Sequence, residues 1–69
     1  MKFTLKALRV NKNLTQTEAA QALSVTRDTI SNWENGKTFP SAEKIKEIEK
    51  LYDVKYDDII FLPQHYAKA

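Results

Sequence analysis

Between Thr15 and Gly36 the chain reads TQTEAAQALSVTRDTISNWENG, a pattern that asks for two short helices joined by a tight turn. Thr15-Gln16-Thr17-Glu18 is a T-x-x-E capping box, in which each end side chain satisfies the other residue's backbone N–H. Ala19, Ala20 and Leu23 then face inward. The next helix starts near Thr26 and ends at Asn35-Gly36, where Gly takes the left-handed C-terminal position without steric cost.

The flanking segments carry the same helical period. Leu5 to Asn11 is a first helix with Thr4 as N-cap, and Asn11 to Asn13 is a break. Pro40-Ser41 opens a fourth helix whose apolar stripe is Ile45, Ile48, Leu51 and Tyr52. A short fifth helix is expected over Tyr56 to Phe61, stopped by Pro63, with Gln64 to Ala69 a loose tail. No strand-like alternation of useful length is present. The expectation is an all-α, compact five-helix domain over residues 1–62 and a short tail over 63–69.

At 69 residues this is one domain, which buries only about 60% of its unfolded surface and has no room for a deep catalytic cleft. There is no Cys, so no disulfide framework and no thiolate metal site, which fits a reducing, cytoplasmic location. No apolar run reaches the roughly 20 residues of a membrane span, and the N-terminus lacks signal-peptide features.

On a helical wheel Ile30 and Trp33 lie about 60° apart and define the buried side of the third helix. Asp28, Ser31, Asn32 and Asn35 fall opposite, and Arg27 projects from the N-terminal tip. A helix with such a face fits the major groove of DNA, where base edges show distinct donor and acceptor patterns. Arg27 can donate twice to guanine, Asn32 can pair with adenine, Asp28 can accept from cytosine, and Thr29 can add a hydroxyl or methyl contact. Each has a plainer reading. Asp28 suits the first helical turn through the helix dipole alone. Ser31 and Asn32 equally suit a wetted surface, and Arg27 a solvated cation.

Phosphate contacts form a separate class, which positions without specifying sequence. Gln16 sits at the exposed start of the second helix; its plainer reading is a surface residue. Asn35, Gly36 and Lys37 follow the third helix and can present an amide, a backbone N–H and an ammonium. Thr17 and Lys12 are weaker candidates. Residues 1–37 hold Lys2, Lys6, Arg9, Lys12, Arg27 and Lys37 against Glu18, Asp28 and Glu34, an excess of +3. The rest of the chain sums to −1, so a polyanion is steered to the first half.

Arg9 and Glu34 suggest a partly buried ion pair tying the first helix to the third. Trp33 invites comparison with a base-stacking platform, but its spacing from Ile30 assigns it to the core. His65 stands alone, so no metal or acid–base role is assigned. The series Glu43, Glu47, Glu49, Asp53, Asp57 and Asp58, interleaved with Lys44, Lys46 and Lys50, reads as a solvated face.

At these residues the chain resembles the phage repressor and Cro family of helix-turn-helix proteins, also called Xre-like. The resemblance rests on Leu14-Thr15-Gln16-Thr17-Glu18, Ala20, Ile30 through Lys37 (ISNWENGK), and Pro40-Ser41. Leu51-Tyr52-Asp53-Val54 and Ile59-Ile60 look like the family's closing helices. It covers about residues 4–62. It implies base contacts from Arg27, Asp28 and Asn32, with Thr26 and Ser31 in reserve. It implies phosphate contacts from Gln16, Asn35 and Lys37, and a buried pair at Arg9 and Glu34. One departure is Ser24, at a turn position the family often fills with Gly.

The expected function is a sequence-specific regulator of transcription, of the small prophage repressor or Cro-like kind. It would bind a double-stranded DNA operator as a homodimer. The alternative is an antitoxin or protein-interaction module on the same fold. No nucleophile–base pair, paired carboxylates or metal spacing supports an enzyme. No cofactor or small-molecule ligand is implied, and Phe39 and the apolar run Ile59 to Leu62 are candidates for the dimer surface.

Overall fold

Four hydroxyl side chains open four helices. Thr4 precedes α1 (Leu5–Asn11), Thr15 precedes α2 (Gln16–Leu23), Thr26 precedes α3 (Arg27–Glu34) and Ser41 precedes α4 (Ala42–Tyr52). Each hydroxyl oxygen accepts the backbone N–H three residues on, from Ala7, Glu18, Thr29 and Lys44 respectively. Thr15 and Glu18 form the reciprocal capping box. Replacing such a cap by Ala costs about 1 kcal/mol. The computed structural model that reveals these contacts describes residues 2–61.

The four helices also end alike. Asn13, Ser24, Gly36 and Asp53 take positive φ values of 61°, 58°, 76° and 55°. The next N–H then reaches back to the carbonyl five residues earlier: Leu14 to Arg9 at 3.1 Å, Val25 to Ala20 at 2.9 Å, Lys37 to Asn32 at 2.8 Å and Val54 to Glu49 at 3.1 Å. This is the Schellman closure, which satisfies carbonyls the helix leaves orphaned. In three of the four, the residue after the left-handed position is apolar (Leu14, Val25, Val54) and packs on the core. Asn and Asp tolerate this backbone region well, whereas Ser24 does so with less local compensation. Ser24→Gly is therefore expected to raise stability by about 0.5–1 kcal/mol, the left-handed cost relieved less the entropy glycine loses on folding. A denaturant melt with an unchanged slope would show it; a destabilised variant would mean the serine side chain has a role of its own.

The expected fifth helix is not formed, and the fold is not wholly α. Tyr56–Asp58 makes a single 3₁₀ turn, followed by a strand, Ile59–Ile60. That strand (β2) pairs in parallel with Phe3–Thr4 (β1), Phe3 opposite Ile59 and Thr4 opposite Ile60. The apolar run Ile59-Ile60-Phe61 is too short for its period to decide between helix and strand, and the pairing with Phe3–Thr4 draws it into the extended form. Ile59 is buried, Ile60 is exposed and Phe61 is half-buried. Glu49, expected on a solvated face, instead accepts the Tyr56 N–H at 2.7 Å and fixes the approach to the 3₁₀ turn.

The core collects Leu5 and Leu8 of α1, Ala19, Ala20 and Leu23 of α2, Ile30 and Trp33 of α3, Ile48 and Tyr52 of α4, and Ile59. Ala19 is fully buried, and a methyl there lets α2 pack closely on its neighbours. Ile45, expected in the α4 stripe, is only half-buried. Burial, followed by the nearby Glu34 carboxylate, pushes the Tyr52 phenol up to about 12. The folded state therefore holds this proton more tightly than the unfolded chain, and that stabilisation is complete below about pH 10, the ordinary tyrosine value. It is lost as pH rises from there to about 12. Tyr52→Phe should flatten that alkaline decline in a melt-versus-pH series; an unchanged decline would assign it to another group. The readings placed on Leu62, Pro63, His65 and the 63–69 tail lie outside the described residues.

Candidate nucleic-acid interface

Helix α3 has two unlike sides. Ile30, Trp33 and Glu34 are buried, and they fix its inner face to α1, α2 and α4. Arg27 and Asp28 are exposed at the N-terminal end, Ser31 and Asn32 are half-buried along the outer side, and Asn35 and Lys37 are exposed just beyond the C-terminal end. Trp33, at 7% exposure, is core and offers no stacking surface.

The polar groups differ in how free they are. Arg27 makes no ion pair among the described residues. The Thr26 oxygen caps the helix through the Thr29 N–H at 3.1 Å and also lies 2.9 Å from the Thr29 hydroxyl. Both hydroxyls are thus engaged in holding the start of α3, which weakens them as base readers. The Asn35 amide rests on the Ser31 hydroxyl at 3.3 Å, a long contact that a ligand can replace.

Two expected phosphate contacts look different in the fold. Gly36 is buried, and its N–H donates to the Trp33 carbonyl at 3.3 Å. The Lys37 N–H is likewise taken by Asn32, so the turn after α3 keeps its backbone donors for itself. What remains outward there is the Asn35 amide and the Lys37 ammonium. Lys12 is exposed, but it lines an open groove with Phe3, Asn11, Asp53 and Val54, formed by α1 and the end of α4. Thr17 is exposed in the first turn of α2.

Behind the two ends of this surface lies a buried polar network. Arg9 Nε donates to Glu34 Oε2 at 2.6 Å, and Arg9 Nη2 to Oε1 at 3.2 Å. Arg9 Nη1 donates to the Leu14 carbonyl at 2.8 Å, anchoring the link into α2. The hydrogen bonds to Glu34 outweigh desolvation and hold the Arg9 guanidinium even more firmly protonated than usual. Gln16 adds a bond that sequence reasoning missed: its Nε2 donates to Glu34 Oε1 at 3.1 Å. Lys44 is a second omission. Its ammonium donates to the Leu23 carbonyl at 2.6 Å, placing a cation at the C-terminal end of α2 where the helix dipole favours one. Neither bond has a local signature, since the partners are 18 and 21 residues apart.

The pattern of two capped helices, a left-handed turn and a polar outer face on the second agrees with comparison to known proteins. A family model described as helix-turn-helix matches residues 5–59. The chain belongs to the helix-turn-helix family. The resemblance to its Xre/Cro-like members, carried by Leu14 through Glu18, Ala20, Ile30 through Lys37 and Pro40-Ser41, holds. An uncharacterised helix-turn-helix transcriptional regulator of Methanocaldococcus jannaschii is 44% identical over 59 residues, 86% of this chain and 89% of that protein. The helix-turn-helix transcriptional activator BcrR of Enterococcus faecalis is 45% identical over 56 residues, 81% of this chain. Antitoxin PezA of Streptococcus pneumoniae is 38% identical over 56 residues, again 81% of this chain. The chain spans only 28% of BcrR and 35% of PezA, so the shared part of those proteins is the helix-turn-helix region. Within the family fold, α2 and α3 are the two helices of the motif and Ser24 is its turn. Among the described residues no helix is long and apolar enough to cross a membrane.

Proposed function

We propose that this helix-turn-helix chain is a sequence-specific, double-stranded-DNA-binding regulator of transcription that lays α3 in the major groove. The observation that carries the reading is the outer side of α3: Arg27, Asp28 and Asn32 face outward on a helix whose other side is locked by Ile30, Trp33 and Glu34. Arg27 reads a guanine, Asn32 an adenine and Asp28 a cytosine amino group, with Ser31 assisting. Gln16, Thr17, Asn35 and Lys37 flank these readers and hold the phosphate backbone. The relatives named as a transcriptional activator and as a transcriptional regulator support a role in transcription. In kind it is a small prophage-type repressor or Cro-like protein, acting as a homodimer on a two-fold symmetric operator with half-sites about 34 Å apart.

Binding to duplex DNA across a salt series tests this. The parent should lose affinity steeply with salt, and Lys37→Ala should weaken all duplexes alike and lower the salt slope by about one. A slope that Lys37→Ala leaves unchanged would remove Lys37 from the phosphate contacts. The likeness to PezA, confined to 35% of that protein, is the ground for a second reading, an antitoxin-type module that neutralises a protein partner. That reading expects weak, salt-insensitive binding to DNA.

A further inference from the structure

We propose that the buried Arg9–Glu34 pair is a positioning device for Gln16, so that Glu34 sets how strongly the start of α2 grips the DNA backbone. The inference rests on the DNA-binding reading above. Three donors converge on the Glu34 carboxylate: Arg9 Nε at 2.6 Å, Arg9 Nη2 at 3.2 Å and Gln16 Nε2 at 3.1 Å. Arg9 also holds the Leu14 carbonyl at 2.8 Å, immediately before the Thr15 cap. The entry to α2 is therefore fastened twice, by the Leu14 carbonyl to Arg9 and by the Gln16 side chain to Glu34.

A carboxylate accepts and does not donate, so it fixes which end of the Gln16 amide faces inward. The NH₂ nitrogen is held on Glu34 by one N–H, and its second N–H diverges from the first by about 120°. Gln16 is half-buried, so the amide reaches both the network and solvent. Glu34 is the last residue of α3, one before Asn35 and three before Lys37. The same carboxylate thus ties the backbone-gripping residue at the start of α2 to those at the end of α3. Since immobilising a free glutamine costs free energy on binding, a side chain ordered beforehand makes binding tighter.

The test is a double-mutant cycle on DNA affinity with two backgrounds. Gln16→Ala in the parent should weaken duplex binding about two- to ten-fold, the range set by ordering one long side chain. Its salt slope should stay unchanged, because the residue is neutral. In Arg9→Met/Glu34→Leu the ion pair becomes apolar at similar volume, which keeps such cores folded. There the affinity should already be reduced, and adding Gln16→Ala should cost markedly less. In the free parent, the side-chain amide protons of Gln16 should show slowed exchange that vanishes in the double variant. Equal cost of Gln16→Ala in both backgrounds, or no cost in the parent, overturns the proposal while the parent's own binding upholds the DNA reading. A parent that binds no duplex even at low salt overturns both.

Discussion

Glu34→Ala is expected to lower the unfolding free energy by about 3–5 kcal/mol, because it strands a buried guanidinium. Arg9 and Glu34 are 9% and 6% exposed, so the guanidinium left behind is largely shielded from bulk water. Arg9 would keep only its bond to the Leu14 carbonyl. A chain of this length has roughly 4–10 kcal/mol in total, so the variant should sit close to unfolding at 25 °C. The size of the loss measures the penalty on the abandoned charge, more than any net attraction in the pair. Arg9→Met/Glu34→Leu separates the two, since a well-packed apolar replacement should melt within about 1 kcal/mol of the parent or above it. Urea melts of both variants check this. A Glu34→Ala variant as stable as the parent would mean that the pair is wetter than its burial indicates.

Arg27→Ala should reduce affinity for the cognate duplex by about 1–3 kcal/mol and relax the preference at one base position. Arg27 is the first residue of α3, exposed and without an ion-pair partner among the described residues, so its removal leaves the fold intact. The effect should therefore appear in binding and not in melting. It should also differ in kind from that of Lys37→Ala, which changes every duplex alike. Affinities for a set of duplexes differing at single positions distinguish the two. A variant that weakens all of them equally would move Arg27 from base reading to phosphate contact.

The contrast between what the sequence disclosed and what it hid follows from distance along the chain. Thr4, Thr15, Thr26 and Ser41 act within three residues of themselves, and their caps are legible as local grammar. The turn at Gly36 is legible for the same reason. Ile30 and Trp33 reveal the inner face of α3 through helical period alone. The run Ile59-Ile60-Phe61 is too short for period to decide between helix and strand. The deciding partner is Phe3–Thr4, more than 50 residues away, and no local signal announces it. The same holds for the candidate site. Arg27, Asp28 and Asn32 can be nominated by face, whereas the bond from Gln16 to Glu34, 18 residues apart, emerges only when helix ends meet in space.

Reading of base sequence by α3 from the major groove of duplex DNA can be checked by selecting bound duplexes from a random pool with the parent chain. A two-fold symmetric site with half-sites about one helical turn apart should be enriched, and Arg27→Ala should lose one preferred base pair per half-site. A pool that emerges as random as it entered, although the protein is folded, would contradict it.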